Sequence, residues 1–315
     1  MLEVKSLQKS FGPIRAVRDV SFRVEKGEVL GFLGPNGAGK TTTMRMITGF
    51  LPPDSGTAVV NGFDITDQPV QAKKQIGYLP ENAPLYGDMT VFNYLRFIAE
   101  VRGFTGRSRD ARVEQTVEMC RLSNVKHQGI STLSKGYRQR VCFAQALLHD
   151  PPVLIMDEPT DGLDPNQKHV VRTMIKEMAE RKAMIISTHI LEEVDAVCSR
   201  AIIISGGAIV ANGKPAELRA QSPTDGAVQI AFASQSQEAA ARLRELESAA
   251  RVEVRDGRCL VYPRDRTRLF SDVMDLVRKS QWQVTELKVL DGRLDDVFRR
   301  LTTASQDGKA ASDKN

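Results

Sequence analysis

The sequence predicts an α/β fold on a mostly parallel sheet, followed by a second, smaller α/β unit. Three observations carry that prediction. Short apolar strands recur at residues 29–33, 153–156, 183–187 and 201–204 with helical stretches between them. Such alternation is expected where helices cover both faces of a parallel sheet. A glycine-rich turn, Gly34-Pro35-Asn36-Gly37-Ala38-Gly39-Lys40-Thr41, separates the first of these strands from a helix opening. A polar break at 221–226 precedes a restart of the pattern on a smaller scale.

Taken in order, Leu2, Val4, Val17, Val20, Phe22 and Val24 alternate as antiparallel strands do. Residues 29–33 read as a buried strand, and 42–48 as the helix after the glycine turn. Residues 56–61 form another strand, closed by a turn at Gly62. From 91 to 123 apolar positions fall at helical spacing, broken at 103–108, which marks an inserted helical region. Beyond the linker come a strand (228–233), a helix (237–246) and a hairpin (252–255 and 259–262) about Asp256-Gly257. A helix (268–280) and a strand (283–289) follow. That order is the ferredoxin-like one. A last helix, 295–301, leads into a polar tail. The expected domains are 1–220 and 226–303, with 304–315 disordered.

Composition narrows the partners. The 315 residues are 41% hydrophobic and 26% charged, as in a soluble globular protein with a sizeable core. The net charge of +5 is mild and its basic residues are dispersed, which argues against nucleic acid as a partner. Cys120, Cys142, Cys198 and Cys259 lie far apart without CxxC spacing, and Met1-Leu2-Glu3-Val4-Lys5 leads directly into a strand. Reduced thiols in a cytosolic chain without a leader are therefore expected. The apolar runs are too short to span a bilayer, so a membrane role requires a partner protein.

The glycine turn matches G-x-x-x-x-G-K-[ST] between a strand and a helix, which makes a phosphate cradle. Lys40 is placed to reach the β- and γ-phosphates, and the Thr41 hydroxyl to ligate Mg²⁺. Downstream, the strand Val153-Leu154-Ile155-Met156 ends in Asp157-Glu158. At the carboxyl end of a parallel strand both acids would sit beside the cradle. Asp157 would hold Mg²⁺ and Glu158 would polarise an attacking water, the two functions that phosphoryl transfer to water requires. His189, in Ser187-Thr188-His189 after the next strand, would face the γ-phosphate. His127, His149 and His169 are expected to be structural.

In this order the phosphate loop, Leu133-Ser134-Lys135-Gly136-Tyr137, Leu154-Ile155-Met156-Asp157-Glu158-Pro159-Thr160, Gly162-Leu163-Asp164 and Ser187-Thr188-His189 resemble the motifs of ATP-binding-cassette (ABC) ATPases. The resemblance covers roughly residues 1–220. It implies a P-loop NTPase cassette with a parallel core, antiparallel N-terminal strands and a helical insert, here with a small C-terminal α/β domain added. It also implies ATP and Mg²⁺ as ligands. Gly34 to Thr42 match Walker A; Asp157 and Glu158 match the Walker B metal-holding acid and the catalytic base. Asp164 matches the loop that links two sites, and His189 the switch histidine. Ser134 and Gly136 match the signature loop that closes on the other subunit's γ-phosphate. Phe11 stands where the family stacks an aromatic on adenine, a core phenylalanine being the alternative.

Two motifs depart from the pattern. Lys135 and Tyr137 replace a Gly and the Gln of the usual Leu-Ser-Gly-Gly-Gln signature. Lys135 would add positive charge near the γ-phosphate across a dimer, or lie solvated on the loop rim. Glu81 replaces the Gln that touches Mg²⁺, and as a hard oxygen donor it is expected to keep that role. One motif set per chain implies an ATP-sandwich dimer, with a second copy or a close relative. The segment from Asn82 to Val91 and the stretch Leu294-Asp295-Asp296-Val297-Phe298 resemble exporter-branch subunits of the gliding-motility, drug-export and sodium-export kind. This implies hydrolysis coupled to transport through membrane-spanning permease subunits, on the cytoplasmic side of the inner membrane. The rival reading is a soluble ABC mechanoenzyme in translation or DNA repair. Such enzymes carry two cassettes, long coiled coils or zinc modules, which this sequence does not show.

Overall fold

The computed structural model describes residues 1–82, 84–233 and 236–312. The chain divides into two compact units with main bodies Met1–Gly213 and Lys214–Ala304. In the first, the chain runs β1 (Leu2–Phe11), β2 (Ile14–Val24), β3 (Val29–Leu33), α1 (Lys40–Ile47), β4 (Ser55–Val60), β5 (Phe63–Asp64), α2 (Pro69–Lys74) and β6 (Ile76–Leu79). It continues through α3 (Val91–Val101), α4 (Gly106–Met119), α5 (Lys135–Leu147), β7 (Val153–Asp157), α6 (Pro165–Ala179), β8 (Ala183–Thr188), α7 (Leu191–Val197), β9 (Arg200–Ser205) and β10 (Ala208–Gly213).

Six strands form the main sheet in the order β10-β9-β3-β8-β7-β6. Five of them are parallel, and β10 closes one edge antiparallel to β9. β3, β7 and β8 are buried at every position, which is why they read as unbroken apolar runs and do not alternate. A second sheet, β2-β1-β4-β5, is antiparallel. Its alternating Leu2, Val4, Val20, Phe22 and Val24 meet Leu30, Phe32, Ile155 and Ile185 of the main sheet, with Met44 and Ile47 of α1 in the same core. The opposite core is helical and joins Tyr94 and Leu95 of α3 to Phe143 of α5 and Met174 and Ile175 of α6. The phosphate-loop strand therefore lies between two apolar layers.

The second unit contains α8 (Pro215–Arg219), β11 (Val228–Phe232), α9 (Ser236–Arg244), β12 (Ala249–Arg255), β13 (Arg258–Pro263), α10 (Leu269–Ser280), β14 (Val284–Val289) and α11 (Leu294–Ser312). Its sheet is antiparallel in the order β12-β13-β11-β14, the arrangement of a ferredoxin-like layer. The hairpin turns at Asp256 and Gly257, both at positive φ (49° and 75°), as a two-residue turn requires. Helix α11 extends to Ser312, past the Leu301 at which the sequence predicts its end. Residues 313–315 of the anticipated tail lie outside the described residues.

Candidate active site

Strand β8 pairs with both β3 and β7, so the carboxyl ends of all three lie side by side. Leu33 is opposite Thr188, and Asp157 is opposite Ser187. The segments that leave these ends carry the glycine turn, His189 and Glu158. They border a cleft of about 650 Å³ lined by Phe11, Pro35, Asn36, Gly37, Gly39, Lys40, Thr41, Thr42, Glu81, Glu158 and His189. Phe11 is 48% exposed there and is no core residue.

The turn has its shape because two backbones approach closely. Gly39 has φ 107°, and a Cβ on it would lie 2.5 Å from the Ala16 carbonyl oxygen, so only glycine fits. It caps α1, whose unpaired N-terminal N–H groups and dipole favour an anion. Gly34 and Ala38 do not line the cleft; Ala38 is buried and its carbonyl accepts from the Gly207 N–H at 3.0 Å. The buried Lys40 Nζ donates to the Gly34 carbonyl at 2.8 Å and lies 3.6 Å from Glu158 Oε1.

Glu158 is the first residue after β7. Its φ of 48° is unfavourable for a residue with a side chain, and strain of this kind collects at functional sites. Two hydrogen bonds hold it, from its N–H to the carbonyl and to the hydroxyl of Ser187, each 3.1 Å. Its carboxylate is about nine-tenths buried, with Oε2 3.0 Å from His189 Nδ1. The acid thus sits between a lysine and a histidine.

Asp157 lies behind it, 1% exposed. One carboxylate oxygen accepts the Ser187 hydroxyl; the other, Oδ2, is buried with no hydrogen-bond partner among the described residues. A buried, unpartnered carboxylate oxygen is costly unless a positive group sits on it. Asp157 does not itself line the cleft, but its neighbour Glu158 does, as do Thr41 and Glu81; the oxygen donors of Thr41, Glu81 and Asp157 are of the kind that suits Mg²⁺. Burial, with the Asp157 charge adding to it, also pushes the Tyr78 phenol up to about 12.

Ser134 and Gly136 do not line this cleft. Ser134 caps α5, its hydroxyl accepting from the Tyr137 N–H at 3.4 Å. Gly136 is buried against Gln167, whose Oε1 would lie 2.6 Å from any Cβ there. Lys135 lies against Gly162 of its own chain, its Nζ within 2.0 Å of where a Gly162 Cβ would stand. Asp164 caps α6, accepting from the Gln167 N–H at 3.0 Å. Three contributors went unassigned in the sequence. Ala16 and Asp161 line the cleft, and Ser187 ties Asp157 to Glu158. Ser187 stood in a quoted motif, whereas nothing local marks Ala16.

A family model described as ABC transporter matches residues 17–161. The probable multidrug ABC transporter ATP-binding protein YbhF of Escherichia coli (strain K12) is 37% identical over 226 residues, 71% of this chain. The chain spans only about two fifths (39%) of that relative's length. The ABC transporter ATP-binding protein NatA of Bacillus subtilis (strain 168) is 40% identical over 202 residues, 64% of this chain and 82% of that protein. A solved structure of the ATP-binding subunit of an ABC transporter superposes with a TM-score of 0.64 at 32% identity, covering 70% of this chain and 92% of that one. With the cleft assembled from the same ordered motifs, the chain belongs to the family of ABC transporter ATP-binding proteins.

Proposed function

We propose that the chain hydrolyses ATP to energise an exporter, acting on separate membrane-spanning partners and pairing with a second copy of itself. The observation that carries the reading is Glu158, strained and nearly buried, between Lys40 and His189 at the mouth of a phosphate cradle. Lys40 would exchange its bonds to the Gly34 and Pro35 carbonyls for phosphate oxygens, which releases Glu158 to orient water. His189 would then hold the γ-phosphate. Thr41, Asp157 and Glu81 would hold Mg²⁺, which when bound offsets the charge of the β- and γ-phosphates. Ser134 and Gly136, absent from the cleft, would complete the site of the second copy. The names of YbhF, a multidrug transporter protein, and NatA, an ABC transporter protein, support the transport role.

Among the described residues no helix is long and apolar enough to cross a membrane. The chain's likeness to transporter ATP-binding proteins supports a place on the cytoplasmic side of the plasma membrane, held there by its permease. Glu158→Gln should bind ATP but hydrolyse it about 10²-fold or more slowly. Unchanged turnover would assign the base elsewhere. The same variant, loaded with ATP and used as bait in detergent-solubilised membranes, should retain a polytopic membrane protein in near-stoichiometric amount. Recovery of ribosomes or nucleic acid in its place would favour the soluble mechanoenzyme.

A further inference from the structure

The sheet of the second unit has one covered face and one open one. Val228, Ile230, Val252, Cys259 and Val261 point into a core with Leu243 of α9 and with Leu269 and Val273 of α10. Because side chains alternate along a strand, their neighbours stand on the opposite face. The register places Glu253, Leu260, Gln229 and Lys288 in one row across β12, β13, β11 and β14. Arg255, Arg258, Ala231 and Glu286 form the next row. A cavity of about 850 Å³ opens over this face beside α11, within the range of small-molecule sites.

Its lining is strongly basic. Six cationic side chains, five of them arginines, face only two acids, Asp291 and Asp296. Asp296 is engaged by the Ser222 and Thr224 hydroxyls at 3.1 and 3.0 Å. Arg251 and Arg255 both reach Glu253 at 2.9 Å, so one carboxylate positions two guanidiniums. Lys288, Arg299 and Arg300 are exposed and make no ion pair among the described residues. Uncompensated charge focused in a concavity raises the local concentration of anions.

We propose that this cleft binds a small, soluble, multiply charged phosphate compound. Arginine-rich linings favour phosphate, whose oxygens match the planar guanidinium fork. Aromatic chemistry argues against a single-stranded nucleic acid, which needs ring faces for its bases. Tyr262 is 9% exposed and lies beneath Arg251, whose guanidinium carbon is 4.3 Å from the ring centroid. Trp282 packs edge-on against Phe232 and serves the apolar side. Charge gathered in a concavity also fits a dissolved anion better than the broad surface of a lipid layer.

The test uses the full chain carrying Lys40→Ala, which removes the cassette's own phosphate-binding lysine. Inorganic tripolyphosphate is titrated into it by calorimetry. Saturable one-site binding is expected, weakened at least tenfold by Arg299→Ala/Arg300→Ala and also weakened by Lys288→Gln. All three residues are exposed, so these variants should fold, which their melting temperatures would verify. Absence of binding in the Lys40→Ala chain would overturn the proposal, as would equal affinity in the double variant. Binding confined to phosphatidylglycerol vesicles, or to an acidic peptide with no response to tripolyphosphate, would overturn it too.

Discussion

Gly39 and Glu158 both sit at positive φ, but for opposite reasons. Gly39 is there because the Ala16 carbonyl leaves no room for a Cβ, so the conformation carries little cost. Glu158 adopts φ 48° with a full side chain, and the cost is offset by its two bonds to Ser187. Ser187 is thus the pivot, since its hydroxyl donates to Asp157 and accepts from the Glu158 N–H. Ser187→Ala would leave both Asp157 oxygens unpartnered and should cost about 1–3 kcal/mol without nucleotide. Mg²⁺ on Asp157 would repair part of that loss. The gap in melting temperature from the parent chain should therefore narrow when Mg²⁺ and a non-hydrolysable ATP analogue are added. An unchanged gap would mean Asp157 does not face the metal. The sequence revealed Lys40 and Thr41 because the cradle is contiguous, and its spacing alone encodes a turn and a helix start. Ser187 acts across two strands, 30 positions from its partner, and no local pattern records such a contact.

At the level of elements, α5 joins the Ser134 loop to the main sheet. Its first turn presents Ser134, and its far end is fastened to β6. Gly77 admits the α5 backbone so closely that a Cβ would lie 2.3 Å from the Ala146 carbonyl oxygen. Just beyond α5, His149 Nε2 donates to the Ile76 carbonyl at 3.1 Å. Burial, aided by the nearby Arg102 charge, pushes the His149 pKa from 6.5 down to about 4, so the ring is neutral in the fold. The unfolded chain therefore binds the extra proton, and stability rises with pH across this window. The contribution is complete above about 6.5 and is lost as pH falls towards about 4. His149→Gln keeps an amide donor but removes the titration. Its melting temperature should fall less between pH 7 and pH 5 than that of the parent, and parallel curves would contradict the assignment. Helical periodicity made α3, α4 and the second unit's strand-helix order readable. His149 is expected from the sequence to be structural, but its partner, the Ile76 carbonyl, is not readable there, because a histidine on a carbonyl has no sequence pattern. Lys135, which the sequence leaves open between a charge reaching across a dimer and a solvated residue on the loop rim, is exposed and lies beside Gly162 of its own chain, a placement compatible with either.

For the whole molecule the decisive fact is what the cleft lacks. Phe11, the phosphate loop, Glu81, Glu158 and His189 gather in one place, while Ser134 and Gly136 stay away from it. If Ser134 serves the nucleotide of a second copy, the two groups of residues must be separable between chains. Lys40→Ala disables one chain's cradle but leaves its Ser134 intact. Ser134→Glu blocks the signature loop with negative charge but leaves Lys40 intact. Each variant alone should be inactive, because each homodimer lacks half of both sites. In a mixed dimer, the cradle of the Ser134→Glu chain meets the intact signature loop of the Lys40→Ala chain. Equal mixing should restore roughly a quarter of the parent turnover, since about half the dimers are mixed and each carries one of two sites. Strictly additive inactivity on mixing would mean that both groups serve one chain's nucleotide, and the sandwich dimer would have to be abandoned.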